Sequence, residues 1–147
     1  MISRVIKNIF EFVKSNESEN NKYVIKISYL QIYMEIISDL LKPERKNLLI
    51  REDKEKGVFV DNLSEWVVEE PQEVFELLKM GSKLRTTAPT KINQLSSRSH
   101  AVFIFYLENI VNSEINGKTI STVRAAKLNL IGKCMIYIYM FNFFLIN

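Results

Sequence analysis

The stretch from Asn93 to His100, NQLSSRSH, concentrates hydrogen-bonding side chains immediately before an apolar run. Its serine hydroxyls can contact a phosphate group or the water shell of a metal ion, and the Arg98 guanidinium can form a charge-assisted pair. Positioning a terminal phosphate and its attacking water requires such groups rather than a covalent nucleophile. These residue types favour phosphate sensing as one interpretation of the segment.

Two other interpretations of this segment compete with phosphate sensing. Its hydroxyls can simply cap nearby backbone groups, which is a common use of Ser and Asn in loops. A Ser–His nucleophile pair is disfavoured because Ser99 and His100 lead into a strand, where successive side chains point to opposite faces. In addition, no acidic residue that would orient the histidine can be identified.

The elements that must position this segment include a strand after it and a helix at the start of the chain. Residues 101–111, AVFIFYLENIV, carry apolar side chains on both alternating faces, as in a central strand covered by helices on each side. The first residues predict an amphipathic helix, because the following apolar positions recur at helical spacing: Val5, Ile6, Ile9, Phe10 and Val13. The pattern indicates an α/β fold with a mixed central β-sheet flanked by helices.

Four further segments have recognisable periods. Residues 23–30 alternate as in a strand, whereas apolar residues at helical spacing predict a helical turn over 37–41. Residues 48–68 predict short strands around a charged turn. Residues 71–81 predict a second helix, with Gly81 placed to cap its end.

The composition limits the classes of function. At 147 residues, 47% hydrophobic and 25% charged, the chain has the make-up of one folded domain. A net charge of +3 without a long basic run gives little support for nucleic-acid binding. The apolar segment 134–146 is shorter than the roughly 20 residues that cross a bilayer, and Asn142 interrupts it, so we expect no membrane span. It also lacks the period, cap and turn of a final element in a soluble domain.

The sequence NGKT at 116–119 matches the end of the phosphate-binding pattern G-x-x-x-x-G-K-[ST]. The first glycine of that pattern would fall at position 112, which is Asn112. The residues that follow, TISTV, are β-branched and favour a strand, and Asn-Gly between two strands predicts a hairpin turn. We therefore expect that Lys118 does not bind a nucleotide.

Several segments together resemble kinesin motor domains. NQLSSRSHAVF resembles the switch I signature N-x-x-S-S-R-S-H of that family, and IKISYLQIYMEIISDLL is similar to its stretch V-S-Y-x-E-I-Y-x-E-x-I-x-D-L-L. LLIREDKEKGVFVDNLSEWVV resembles the microtubule-facing strand-and-loop region, and AAKLNLI resembles the strand that enters switch II. The resemblance implies a P-loop NTPase fold of the kinesin type, here incomplete.

The resemblance also implies an activity and the residues that serve it. The family hydrolyses ATP, with Mg2+, to move along microtubules, and its members act in the cytoplasm on the cytoskeleton. By this resemblance Asn93 and Ser96 face the γ-phosphate and the attacking water. Ser97 holds the magnesium shell, and Arg98 pairs with a switch II glutamate.

A second set of residues is implied to contact tubulin. Arg51, Lys54 and Lys56 match a family loop that touches the microtubule, and their charge suits an acidic polymer surface. A solvated charged turn is the alternative interpretation of the same residues.

The sequence departs from the family pattern at both ends. The family has its phosphate-binding loop before the segment matching MISRVIKNIF, and it continues as D-L-A-G-x-E where this chain has Gly132 and Lys133. We interpret residues 1–131 as a partial motor domain and residues 132–147 as a tail foreign to the family, hypothetically a translated intron. The isolated chain is then expected to be inactive. The alternative is a non-catalytic pseudo-motor that binds tubulin or a motor partner.

Overall fold

The computed structural model describes residues 2–54, 57–86, 99–115, 118–133 and 136–146. The elements follow in the order α1 (Ile2–Asn16), β1 (Asn21–Tyr33), β2 (Ile36–Asp39), β3 (Ile50–Asp53), β4 (Gly57–Val60), β5 (Trp66–Val68), α2 (Pro71–Thr86), β6 (Ser99–Ile115), β7 (Lys118–Lys133) and β8 (Ile136–Ile146). This order confirms the predicted first helix, first long strand, second helix and central strand.

The strands form one large sheet and one small hairpin. The large sheet has the order β2-β1-β6-β7-β8, with β5 also pairing with β1, and β3 pairs with β4 by itself. Each pairing in the described ranges is antiparallel, so the parallel pairs of a mixed sheet do not occur in this part of the chain. Ile115 pairs with Lys118 across the β6–β7 connection, which confirms the predicted hairpin and places Lys118 in a strand.

Both helices pack on one face of the large sheet. Ile6, Phe10 and Val13 of α1 are buried there, because their helical spacing places them on a single side of the helix. Val74 of α2 is buried in the same cluster, which includes Phe105 of β6. This cluster is the main core, and it fixes the position of β6 beneath the two helices.

The opposite face of the sheet is covered differently from the prediction. Its buried residues are Leu30, Ile37 and Ile104, with Val60 of the β3–β4 hairpin packed against them. In the described ranges a hairpin and its neighbouring loops cover this face, so the expectation of helices on both faces is wrong here. Alternating apolar residues indicate that a strand is buried on both faces, but they do not specify which element buries it.

The predicted helical turn over 37–41 is also wrong. Met34 and Glu35 have positive φ angles of 49° and 66°, and the tight turn they form reverses the chain into β2. Asp39 then ends β2, where its Oδ1 accepts hydrogen bonds from the backbone N–H groups of Leu41 (2.8 Å) and Lys42 (3.0 Å). These side-chain bonds stabilise a loop where the apolar spacing alone indicated a helix.

Gly81 lies inside α2 rather than at its end, so its predicted capping role is wrong. A Cβ at this position would overlap the ring of Tyr29 and lie 3.3 Å from the Leu40 Cβ. The glycine is therefore explained by the close approach of α2 to β1. Local sequence gives the same signal for a cap and for a close helix–strand contact.

The apolar segment near the end of the chain forms β8. It pairs with β7 from Lys133↔Ile136 to Val123↔Ile146, although its sequence lacks the period and cap expected of a final element. Backbone hydrogen bonds to the edge of β7 need no such pattern. Among the described residues, no helix combines the length and the apolar character that crossing a membrane requires.

Candidate functional site

The predicted phosphate-sensing residues lie between α2 and β6. Asn93, Ser96, Ser97 and Arg98 fall outside the described residues, so their predicted roles stay predictions. The structure does describe both flanks of the segment, because α2 ends at Thr86 and β6 begins at Ser99. The location of the candidate site therefore follows from these flanks.

A side chain at the end of α2 contacts the start of β6. Arg85 Nη2 donates a hydrogen bond to the backbone oxygen of Ser99 at 3.4 Å. Ser99 is buried and pairs with Tyr33 at the end of β1. The side chain of Arg85 thus links the end of α2 to the start of β6.

The start of β6 and the end of β7 lie at the same end of the sheet. The antiparallel register pairs Ala101 with Gly132 and Phe103 with Leu130. The first residues of β6, which follow residues 93–98 in the sequence, therefore lie beside the end of β7, the strand that resembles the approach to switch II. The described strand ends that border these two segments are adjacent in the fold.

Ser99 and His100 do not form a nucleophile pair. Ser99 is buried on the helix-covered face with Ala101 and Phe103, whereas His100 is half-buried on the opposite face. The two side chains cannot meet across the strand. This geometry agrees with the sequence argument against Ser–His chemistry and leaves His100 as part of the β6 scaffold.

The predicted tubulin-contact residues belong to the β3–β4 hairpin. Arg51 lies in β3 with 58% of its side chain exposed, and its Nε is 2.7 Å from Asp61 Oδ2. Lys54 is exposed at the turn, whereas Lys56 lies outside the described residues. The structure therefore places Arg51 and Lys54 on one exposed hairpin, and Asp61 neutralises part of the charge of Arg51.

A cluster of charged and polar side chains beside this hairpin was not predicted. Lys26 Nζ is 2.7 Å from Glu108 Oε1 and 3.8 Å from Glu65 Oε2. Lys127 Nζ lies 5.5 Å from the centroid of the Tyr106 ring. Lys26, Tyr106 and Lys127 occupy adjacent positions on β1, β6 and β7. A polar side chain in an otherwise apolar strand could have marked each of these positions in the sequence. Only the strand register shows that the three positions are neighbours.

Burial changes the proton affinity of two groups in this cluster. Burial, together with the nearby Glu65 carboxylate, raises the pKa of Tyr106 to about 12. Burial lowers the pKa of Lys127, and Glu65 opposes that effect. The cluster is therefore a partly desolvated polar site on the hairpin side of the sheet.

The family model named "Kinesin motor domain" matches residues 1–132. The chain is 36% identical to a kinesin heavy chain of Neurospora crassa over 135 residues, which cover 90% of this chain and 14% of that protein. It is 35% identical to kinesin-related protein 3 of Dictyostelium discoideum, covering 89% of this chain and 10% of that protein. The chain belongs to the kinesin motor domain family and spans a small part of the length of these relatives.

Solved structures agree with this assignment. A structure described as a fast kinesin superposes with a TM-score of 0.72 at 37% identity, covering 89% of this chain and 35% of that chain. A KIF14 dimer in a two-heads-bound state, with AMP-PNP and in complex with a microtubule, gives a TM-score of 0.73 at 28% identity, covering 88% and 37%. The kinesin-type fold that the sequence indicated is confirmed.

Proposed function

We propose that the chain forms the switch I part of a microtubule motor whose intact form couples ATP hydrolysis to movement. The observation that carries this proposal is the register Ala101↔Gly132, which brings the entry to β6 and the exit from β7 to one end of the sheet. A loop at this position can respond to a terminal phosphate together with the chain that follows β7. The proposal includes a cytoplasmic location on the cytoskeleton.

The proposed phosphate-sensing roles remain those that the family resemblance implies. Asn93 and Ser96 face the γ-phosphate and the attacking water, Ser97 holds the Mg2+ shell, and Arg98 pairs with an acidic group. Support comes from the rigid flank of this segment, because Ser99 is buried and is held by Arg85 at 3.4 Å. A fixed attachment point allows a loop to position hydroxyls at a reacting group.

ATP and Mg2+ require more phosphate contacts than these residues supply. The sequence contains no complete G-x-x-x-x-G-K-[ST] pattern, and Lys118 lies in β7 at the far end of the sheet from Ser99. We therefore propose that the isolated 147-residue chain is inactive as an ATPase. Titration with a fluorescent ATP analogue should show no micromolar binding, and micromolar binding that Ser97→Ala weakens would contradict this.

The proposed tubulin contact uses Arg51, Lys54 and Lys56 on the β3–β4 hairpin. The hairpin is exposed and is separate from the strands of the large sheet, which leaves its outer side accessible. Asp61 holds the Arg51 guanidinium in one orientation through the 2.7 Å pair. Cationic side chains on such a hairpin suit the acidic surface that the family contacts.

A non-catalytic pseudo-motor is the second candidate function. It is favoured by the same exposed hairpin, which needs no nucleotide in order to bind tubulin. Microtubule co-sedimentation of the chain that persists without nucleotide, and is lost in Arg51→Ala with Lys56→Ala, would favour the pseudo-motor. Arg124→Ala, at an exposed position on β7, is the matched control and should sediment like the wild type.

The experiment that tests the motor proposal begins with the mature transcript. We expect the spliced message to encode a phosphate-binding loop before residue 1 and an acidic switch II segment after residue 131. Microtubule-stimulated ATPase activity of its product should fall at least about a hundredfold in Ser97→Ala. Ser113→Ala, an exposed serine on β6, should leave the activity unchanged. A mature message that reads straight through residues 1–147 would overturn the motor proposal.

A further inference from the structure

A cavity of about 190 Å³ lies between the β3–β4 hairpin and the face of the large sheet. Its floor includes Leu30 and Ile104, which are buried, and Val58 of β4 lies on its hairpin side. At the mouth, Ile50 and Val58 are 61% and 60% exposed. The cavity is therefore mainly apolar and broadly open to solvent along the hairpin.

Two polar side chains lie at one side of this cavity. Lys127 and Asn129 both line it and are two residues apart on β7, so they share a face of the strand. Lys127 Nζ donates one long hydrogen bond, of 3.4 Å, to the backbone oxygen of Val58. An ammonium group has three donors. Among the described residues, Lys127 Nζ contacts the Val58 oxygen and the Tyr106 ring, which leaves capacity for a further acceptor.

The neighbouring carboxylates of Glu65 and Glu108 pair with Lys26 rather than with Lys127. Glu108 lies 2.7 Å from Lys26 Nζ and Glu65 lies 3.8 Å from it. Glu65 is still close enough to favour the charged form of Lys127. Within the described ranges no carboxylate oxygen lies within ion-pair distance of Lys127, so an incoming anion would be its direct partner.

We propose that this cavity binds a small planar aromatic carboxylate, with its ring between Ile104 and Val58 and its carboxylate on Lys127 and Asn129. The volume of about 190 Å³ exceeds the roughly 150 Å³ of an enclosed apolar cavity that holds benzene, and here one side of the ring would remain open to solvent. A charge-assisted bond to a partly desolvated ammonium group supplies the orientation. The proposal does not depend on motor activity.

Occupancy of this cavity has a structural consequence. The ligand would touch both Val58 on the hairpin and Ile104 on the central strand, so it would fix the hairpin relative to the sheet. If the hairpin contacts tubulin as proposed above, the ligand would change the affinity of that contact. This consequence rests on the proposed function, whereas ligand binding itself can be measured without microtubules.

The test uses the purified chain and fluorine NMR of three probes that share one ring: 4-(trifluoromethyl)benzoate, the corresponding neutral benzamide and the corresponding cationic benzylamine. We expect the benzoate signal to broaden with a Kd of about 1 mM, which is reasonable for a ligand of this size. The benzamide should bind about tenfold more weakly, because it lacks the charge-assisted bond. The benzylamine signal should remain sharp.

Three variants locate the binding site. Lys127→Met should weaken benzoate binding about tenfold and leave the benzamide unchanged. Lys118→Met, at an exposed lysine on the same strand, should change neither. Val102→Phe should abolish binding of both ligands by filling the cavity, and Ile131→Phe replaces it if thermal melting shows that Val102→Phe does not fold.

Three results would overturn the proposal. The first is equal binding of benzoate and benzamide, which would show an apolar cavity without an anion site. The second is equal weakening by Lys118→Met and Lys127→Met, which would show attraction to surface charge alone. The third is a sharp benzoate signal in the presence of the folded wild-type chain.

Discussion

Asp39 is an almost fully buried residue whose carboxylate accepts hydrogen bonds from the backbone. It is 1% exposed, and its two carboxylate oxygens accept hydrogen bonds from the backbone N–H groups of Leu41, Lys42 and Ser64. The carboxylate thereby joins the loop after β2 to the loop before β5. Burial of a charged group is tolerable here because backbone donors replace its water.

Asp39→Ala should therefore lower the free energy of unfolding by about 3 kcal/mol, because it leaves buried N–H groups without an acceptor. Urea unfolding followed by the fluorescence of Trp66, the single tryptophan, measures this. Asp61→Ala, which removes only the exposed pair with Arg51, should cost less than about 1 kcal/mol. Equal losses in the two variants would contradict the role assigned to Asp39.

Lys127 and Tyr106 predict how stability depends on alkaline pH. The folded-state pKa of Lys127 lies below 10.5, so the unfolded chain binds more protons just below that pH and stability rises with pH through this window. The pKa of Tyr106 is raised from 10.0 to about 12, so the folded chain binds more protons between these values and stability falls there. The two effects have opposite signs in adjacent windows.

Lys127→Met should consequently flatten the rise of stability with pH just below pH 10.5, where the lowered pKa of Lys127 takes effect. The urea midpoint at each pH, measured for the wild type and the variant, gives the difference directly. Lys118→Met is the control and should retain the wild-type slope. A wild-type slope in Lys127→Met would show that Lys127 titrates as an exposed lysine.

At the residue scale, the sequence yields a candidate site where a contiguous motif carries the residue types, and the roles of those residues stay predictions. NQLSSRSH identified one candidate site without the structure, because its residues are neighbours in sequence. The cluster of Lys26, Tyr106 and Lys127 escaped prediction because its members come from three strands. Only the register of those strands brings the three side chains to one place.

The turn between β1 and β2 carries conformational strain at the element scale. Met34 and Glu35 both have positive φ angles, which residues with a Cβ adopt at a cost. The two-residue turn fits the twist of an antiparallel hairpin, for which Asn-Gly is the preferred pair. The surrounding register from Tyr33↔Ile36 to Leu30↔Asp39 stabilises the strained turn.

Replacing this pair, Met34→Asn with Glu35→Gly, should raise the free energy of unfolding by about 1 kcal/mol. Thermal melting monitored by circular dichroism would show a higher midpoint. Met34→Val should have the opposite effect, because a β-branched residue is poorly tolerated at positive φ. A lower midpoint for the Asn-Gly double variant would contradict this account of the turn.

Element prediction succeeded where local chemistry dominates and failed where distant contacts decide. The β6–β7 hairpin followed from Asn-Gly between two strand patterns. The apolar spacing of residues 37–41 predicts a helix. It cannot reveal that the Asp39 carboxylate accepts a hydrogen bond from Ser64, which lies far along the chain. Likewise, the local sequence predicts a cap at Gly81. The residue that explains the glycine, Tyr29, is distant in the sequence and is brought close only by the fold.

The two faces of the molecule differ in how well they are covered. The helical face has the larger buried cluster, whereas the hairpin face has a smaller one. Among the described strands, β5 pairs only with β1, and its Val67 is exposed. Unpaired strand edges beside exposed apolar side chains promote association between chains.

The purified chain should therefore associate as its concentration rises, and Val67→Lys should reduce this association. A charged side chain on an edge strand disfavours edge-to-edge pairing. Light scattering across a concentration series measures the effect. Asn8→Lys, which adds the same charge at an exposed position on α1 and away from any strand edge, should change association less. Equal effects would assign any improvement to net charge rather than to the β5 edge.

The close contact between Gly81 and Tyr29 couples the position of α2 to that of β1. At this point the backbone of α2 lies directly against the ring of Tyr29, so sliding of the helix along the strand would bring a neighbouring side chain into collision with the ring. We therefore expect the helix and the strand to move together. Arg85, near the end of the same helix, thereby stays within hydrogen-bond distance of the Ser99 backbone oxygen at the start of β6.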